Sequence, residues 1–428
     1  MLRLPDLLRA FQSRNYRLYF MGQGISFLGT MMQSAAQGWL VYRLTDSAFW
    51  LGFVAFAGQL PAFFMAPIAG LLCDRLEKRR LLIAADALQM LQATLLAVLV
   101  LTGVVRPWHI LALASVLGVA SGFEMTTRHA MVPEIVEDPA HLGNAIALNS
   151  GMFNLGRIAG PSIAGFVVAW HGEGVCFALN AASYVAILYA LVAMRLPRRP
   201  GPAGRSAPLR ELGEGFRYAT AFTPLRDIIL LMAWVSLAGA SAMVLMPVYA
   251  RDILHGDART LGFLMAAVGF GSILGAVYLA SRRRVPGLGI VIALALAAMG
   301  LSLAGLAFVR STPLALALLV VTGAGMMLHM SSSNTILQSV AEDHLRGRVM
   351  SFYIMAFAGF GPLGALLAGT AARHFGAPVV LVTAGVCTVA GAVVFACNLP
   401  AMGRRLAPVY VRKGLLPAGI PAVDTGLE

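Results

Sequence analysis

The sequence predicts an all-α polytopic membrane protein, with twelve transmembrane helices arranged as two six-helix bundles. Three observations carry that prediction. Of 428 residues, 59% are hydrophobic and 12% charged, against about 45–50% and about 25% in soluble domains. The apolar residues fall into twelve runs long enough to cross a bilayer, which takes about 20 residues. The positive charge, a net +13, is confined to short clusters between the runs. Together these exclude a soluble enzyme, a disordered chain and a collagen-like repeat. In a soluble protein such charge would point to nucleic acid. Clustered between apolar runs it reports topology, and no nucleic-acid partner is expected.

The runs cover residues 16–42, 49–73, 81–103, 108–131, 143–170, 174–196, 226–250, 259–281, 287–309, 313–337, 348–372 and 377–399. Turn and charge signals bound them, among them Thr45-Asp46-Ser47, Arg106-Pro107, Asp138-Pro139, His171-Gly172 and Leu399-Pro400. None alternates polar and apolar residues, as the strands of a membrane β-barrel would. The first run is longer than the roughly 7–15 apolar residues of a secretory signal, so it reads as an uncleaved span. With the N-terminus placed in the cytoplasm, 24 Lys and Arg fall on the cytoplasmic side and 6 on the other, while Arg128 and Arg157 lie within spans. That asymmetry predicts both termini inside and an even number of spans.

Four regions follow: a six-helix bundle over 1–196, a cytoplasmic linker over 197–225, a second bundle over 226–399 and a cytoplasmic tail over 400–428. The linker opens with Arg198, Arg199, Pro200, Gly201 and Pro202, then presents Leu209, Leu212, Phe216 and Ala219 at helical spacing between Arg210 and Arg217. This predicts an amphipathic helix on the membrane surface. The tail, with several prolines, is expected to be loosely ordered. The cysteines Cys73, Cys176, Cys387 and Cys397 have no metal-ligand spacing and sit in or beside apolar runs, where they read as small packing residues.

The two halves repeat. Gly160-Pro161 and Gly361-Pro362 stand 201 residues apart, and His141-Leu142-Gly143 precedes the first pair as His344-Leu345-Arg346 precedes the second. Leu51-Gly52-Phe53 and Leu261-Gly262-Phe263 open spans 2 and 8. A repeat of six spans in the same direction implies two bundles related by an axis along the membrane normal, with substrate bound near the midplane between them.

Between spans 2 and 3 the chain reads Gly70-Leu71-Leu72-Cys73-Asp74-Arg75-Leu76-Glu77-Lys78-Arg79-Arg80. This resembles the G-x-x-x-D-R-x-G-R/K-R/K signature of the major facilitator superfamily, with Glu77 in place of the second glycine. In the second half Arg282-Arg283-Arg284 remain but the acid is absent. Gly156-Arg157-Ile158-Ala159-Gly160-Pro161 to Gly165 resembles the span-5 signature of exporters in that superfamily. Arg128-His129-Ala130-Met131-Val132-Pro133-Glu134 and Arg346-Gly347-Arg348-Val349-Met350-Ser351 resemble its enterobactin-exporter-like branch. The resemblance implies the major facilitator fold and secondary transport. The usual arginine of the span-4 signature is missing, since Leu113 to Gly122 carries no basic residue.

Read physically, Gly70 is expected to let span 2 approach a neighbour, and Asp74 to accept hydrogen bonds at the N-terminus of a facing helix. Gly70, Asp74, Arg75, Lys78 and Arg79 then form a gating loop, with Arg75 and Arg79 pairing Glu134 or Glu137. The alternative is a basic topology loop and no more. Gly156 and Gly160 make a small-residue packing face, and Pro161 with Gly361-Pro362 would bend spans 5 and 11.

Ionisable residues inside a membrane are functional until shown otherwise. Glu124 and Arg128 in span 4 and Arg157 in span 5 are the candidates for proton coupling or substrate binding. Side chains tilt toward their helix N-terminus, so Glu124 and Arg157 are expected to converge, either as a coupling site or as a fixed ion pair. Asp86 in span 3 is read as structural. Gln23, Ser26, Thr30, Gln33 and Gln37 step by three and four along span 1 and form one polar stripe. It reads as a cavity wall in preference to a helix–helix hydrogen-bonding face, with Asn154, His329 and Asn334 as further lining.

No catalytic motif, phosphate loop or cysteine pair is present, so no enzyme activity, metal or cofactor is expected. The reading is a secondary active transporter, acting as a monomer in the cell (inner) membrane among its lipids. It would export a small amphipathic molecule, siderophore or drug-like, in exchange for protons. A lipid or lysolipid flippase and a non-transporting sensor are the competing readings.

Overall fold

The computed structural model describes residues 9–136, 138, 141–195, 217–218, 220–282, 285–342, 345–413 and 416, without the side chains of 74–75 and 240–241. Among the described residues there are twelve long helices and no strand. They are α1 (Arg14–Thr45), α2 (Ala48–Arg75), α3 (Lys78–Leu101), α4 (Pro107–Ile135), α5 (Leu142–His171), α6 (Glu173–Ala193), α7 (Thr223–Met243), α8 (Ala258–Ser281), α9 (Leu288–Leu306), α10 (Thr312–Val340), α11 (Arg346–Phe375) and α12 (Ala377–Arg412). The predicted spans correspond to them one for one. Ten are long and apolar enough to cross a membrane by length and composition. The polar stripe keeps α1 outside that set.

Caps and breakers explain the boundaries. Ser13 starts α1, its hydroxyl accepting from the Tyr16 N–H. Pro107 and Pro313 occupy the first turns of α4 and α10, where a missing N–H costs nothing. Gly172 and Gly376, both with φ above 80°, join α5 to α6 and α11 to α12 through backbone that favours glycine.

Two expectations need correction. Span 7 was expected to run unbroken over 226–250. Instead α7 stops at Met243, and a short turn at Met246–Val248 leads into a π-helical turn at Tyr249–Ile253. Pro247 has no N–H for the Met243 carbonyl, which ends the regular ladder there. Span 12 was expected to end at Leu399 and give way to a loose tail. Instead α12 continues through Pro400 and Pro408 to Arg412, and Met402, Leu406 and Tyr410 are buried along the extension. The tail from 417 onward, and Leu209, Leu212, Phe216 and Ala219 of the expected amphipathic helix, lie outside the described residues.

The chain forms two compact units. Unit 1 comprises Met1–Gly204 with Pro247–Ala266, and unit 2 comprises Arg205–Met246 with Ala267–Glu428. The first unit takes in part of the second predicted bundle. That bundle's segment 247–266 packs on unit 1, where Arg251 pairs with Asp46 at 2.7 Å, Tyr42 hydrogen-bonds Asp252 and Gly262 meets Gly165.

Within unit 1, α1 packs on α5 and α6, α3 on α4 and α6, and α2 on α4. Within unit 2 the same pattern recurs six helices later: α7 packs on α11 and α12, and α9 on α10 and α12. The tightest crossings recur too. A Cβ added to Gly118 of α4 would lie 2.2 Å from the Gly58 carbonyl oxygen of α2, and one on Gly323 of α10 would lie 1.9 Å from the Val268 carbonyl oxygen of α8. Backbone meets backbone at both places, and only hydrogen fits between.

Candidate functional site

The candidate site is the polar core of unit 1, built by α1, α3, α4 and α6. Gln33 of α1 sits at its centre. Its Nε2 donates to Gln92 Oε1 of α3 at 2.9 Å, and its Oε1 accepts from Asn180 Nδ2 of α6 at 2.8 Å. Tyr184 of α6 donates to Gln89 Oε1 of α3 at 2.8 Å, and its hydroxyl lies 3.1 Å from Thr30 Oγ1. Gln23, Ser26 and Gln33 are buried, and Thr30 and Gln37 half-buried. At Thr30 and Gln33 the stripe on span 1 thus makes helix–helix hydrogen bonds. Closeness allows it: Gly22 and Gly29 bring α1 against α6 so tightly that a Cβ on either would meet it within 3 Å.

One helical turn organises the charges. Arg128 Nη1 donates to Glu124 Oε1 at 2.5 Å, and both side chains are nearly buried, at 12% and 13% exposure. The Arg128 guanidinium also lies 4.8 Å from the centre of the Phe153 ring of α5, a cation–π arrangement. The expected convergence of Glu124 with Arg157 is not found. Arg157 is exposed on α5 and makes no ion pair among the described residues. The spacing explains the outcome: Arg128 stands four residues after Glu124, the favoured order for an ion pair along a helix, and it reaches the carboxylate before a residue on α5 can. Asn154, one turn before Arg157, is half-buried.

Asp86 is the residue that sequence reasoning set aside. It is 3% exposed on α3, within electrostatic reach of Glu124 and Arg128. Its position shares a helix face with Gln89 and Gln92, at i+3 and i+6, and that polar stripe on α3, complementary to the one on span 1, was the signal available.

At the start of α3, Lys78 pairs with Glu134 of α4 at 2.5 Å, and Arg79 donates to the Val192 carbonyl of α6 at 2.6 Å. The expected partner of Glu134 was Arg75 or Arg79. Lys78 takes that place because it opens the helix directly beside α4. Glu137 and the side chains of Asp74 and Arg75 lie outside the described residues. Gly70 has open space around it, so the expectation that it admits a close neighbour is not met. On α5, a Cβ added to Gly156 would lie 2.5 Å from the Phe27 ring and one added to Gly160 would lie 2.4 Å from Met31 Cβ of α1, which is the small-residue packing face. Pro161 and Pro362 are buried within helices that run through them unbroken, and Gly361 faces open space.

The remaining candidates lie in unit 2. His329 of α10 is 1% exposed, with Nδ1 at 3.4 Å from Ser333 Oγ. Asn334, half-buried, accepts from Gln338 Nε2 at 3.0 Å.

This arrangement of twelve helices in two repeating six-helix halves is matched by known proteins. The transmembrane secretion effector family of major facilitator transporters matches residues 8–411. The chain belongs to that family. Among its relatives, the multidrug efflux pump Tap of Mycolicibacterium fortuitum is 30% identical over 348 residues, covering 79% of this chain and 84% of the pump. The staphyloferrin A transporter of Staphylococcus aureus is 25% identical over 89% of this chain and 95% of its own length. The enterobactin exporter EntS of Shigella boydii is 28% identical over 61% of this chain and 62% of the exporter. The crystal structure of the nucleoside transporter NupG superposes with a TM-score of 0.67 at 16% identity, covering 90% of this chain and 99% of that one, and shows the shared fold. As a family member, the chain is a multi-pass secondary transporter of small molecules.

Proposed function

We propose that the protein is a proton-driven exporter of a small amphipathic molecule, siderophore-like or drug-like, working by alternating access as a monomer. It would sit in the inner membrane with both termini cytoplasmic, as the 24-to-6 distribution of Lys and Arg favours, and carry no enzyme activity. The observation that carries the reading is the nearly buried Glu124–Arg128 pair with Asp86 beside it. Charges enclosed in membrane-spanning helices mark ion and substrate pathways. Export is supported by the relatives, which are an efflux pump and two siderophore transporters. An exposed Arg157 without an ion-pair partner among the described residues suits a substrate that carries a carboxylate or another anionic group.

The test is untargeted mass spectrometry of medium from cells with and without the protein, each with and without a protonophore. At least one compound should accumulate only when the protein is present, and the protonophore should abolish it. Identical media would end the exporter reading. Accumulation that survives the protonophore would end the proton-driven one. The loop at Gly70, Asp74, Arg75, Lys78 and Arg79 acts in this reading as a gate. Asp74→Asn should lower export at least tenfold while the protein inserts in normal amount, as read by immunoblotting of membranes beside the export assay.

A further inference from the structure

The polar core of unit 1 encloses four polar atoms that have no hydrogen-bond partner: Tyr19 Oη, Asp86 Oδ2, Gln89 Nε2 and Gln92 Nε2. Three of them belong to one face of α3, where Asp86, Gln89 and Gln92 are 3%, 4% and 1% exposed. Buried polar groups are almost always paired, and a buried unpaired carboxylate is the costliest kind to leave without a partner. Among the described residues, no side chain or backbone group hydrogen-bonds or ion-pairs with Asp86.

The neighbours show why Asp86 lacks a partner. From α4, Glu124 and Arg128 face it, but they are engaged with each other at 2.5 Å. From α1, Tyr19 lies within electrostatic reach of Asp86, Glu124 and Arg128, with Tyr16 behind it. From α6, Tyr184 lies within reach of Asp86 and Glu124, but its hydroxyl is committed to Gln89 and Thr30. On α3 itself the cations are engaged elsewhere, Lys78 with Glu134, Arg79 with the Val192 carbonyl and Arg80 with Glu77. The cluster therefore contains one permanent cation and two carboxyl groups. With both ionised it carries one net negative charge in a largely enclosed site, and one proton makes it neutral.

We infer that Asp86 is the proton-binding site of this transporter, and that Glu124 is the fixed partner of Arg128. The inference rests on the proton-driven reading above and assigns that role to a residue of α3. The proton binds a carboxylate oxygen of Asp86 as an O–H bond and leaves to water when the site opens. No electrons move and no other bond changes. In the deprotonated state Asp86 competes with Glu124 for Arg128. This couples loss of the proton to movement of the one cation that α4 holds between α3 and α5.

Infrared difference spectroscopy of the purified full-length protein tests the assignment through the C=O stretch of a protonated carboxyl, followed from pH 4 to pH 10. Wild type should show a band that disappears on titration. Asp86→Asn should abolish it. Glu124→Gln should keep it, with its midpoint displaced by at least one pH unit. A band that survives in Asp86→Asn, or vanishes in Glu124→Gln, overturns the assignment. Should Asp86→Asn fail to accumulate in the membrane, Asp86→Glu serves. A midpoint moved by half a unit or more supports the site, and an unmoved midpoint overturns it. The protonophore assay on wild type is independent: export that resists the protonophore ends the proton-driven reading whatever the spectra show. Export that is sensitive, beside a band untouched by Asp86→Asn, leaves that reading standing without this residue.

Discussion

In unit 1 the helix pair α3–α4 holds Asp86, Gln89 and Gln92 on one side and the Glu124–Arg128 pair on the other. In unit 2 the equivalent pair, α9–α10, buries Ser302, Thr322, His329, Ser332 and Ser333. Both pairs occupy the same place in the same neighbour pattern. Among the described residues, every buried carboxylate and carboxamide side chain falls in unit 1, and the buried polar residues of unit 2 are hydroxyls and one histidine. Hydroxyls satisfy themselves inside a membrane helix by bonding the carbonyl four residues back, as Thr322 and Thr388 do to Leu318 and Ala384. A carboxylate or carboxamide needs another side chain, found one turn away for Glu124 with Arg128 and on other helices for Gln33 with Gln92 and Asn180. Fold and polar chemistry thus separate: the repeat supplies a scaffold twice, and among the described residues the first copy alone fully buries a carboxylate or carboxamide side chain.

The strongest way to break this comparison is to remove the cation. Arg128→Met leaves Glu124 without a partner in a nearly buried site, and removing one partner of a buried pair costs roughly 3–5 kcal/mol. Thermal unfolding of the purified protein should show that loss. Added Glu124→Gln should restore a large part of it, and an unchanged transition would mean that the pair is solvated. An intermediate effect tests what the units share. Gly118→Ala and Gly323→Ala each push a Cβ into a facing carbonyl oxygen at 2.2 and 1.9 Å. Overpacking of this kind costs about 1–3 kcal/mol, so the two variants should lose similar stability, and a difference between them of more than about 2 kcal/mol would refute the equivalence of the crossings. The smallest effects sharpen what the units do not share. Gln33→Leu removes two interhelical hydrogen bonds, worth about 0.6 kcal/mol each on average in membranes. His329→Leu removes a ring whose Nε2 has no partner and should be neutral or stabilising. Equal destabilisation by both would show that unit 2 depends on polar contacts as unit 1 does.

Much of the scaffold was legible because hydrophobic length and positive charge act over whole segments, and an error of a few residues does not disturb either. The boundaries that moved are those where one proline was asked to decide. Pro247 broke α7, but Pro400 and Pro408 did not stop α12, because a proline removes a single hydrogen bond and a long helix retains the rest. The site was less legible because its outcome depends on competition between partners. Glu124 had Arg128 at i+4 and Arg157 on another helix, and the nearer residue took it. Gln23 to Gln37 formed a stripe that periodicity revealed. What lay against it was decided by Gly22 and Gly29, which brought α6 close enough for Gln33 and Thr30 to bond it. Asp86 looked structural from its place near a helix start, and only its surroundings show that no partner awaits it.

The two backbone crossings, Gly118 on Gly58 and Gly323 on Val268, bear on how such a duplicated protein ages. After a gene doubles upon itself, each copy is free to drift wherever a replacement side chain can be accommodated. At a crossing where only a hydrogen atom separates two chains, nothing can be accommodated, so both copies keep their glycine while the residues around them diverge. The crossings are therefore the positions of the molecule least able to change side chain.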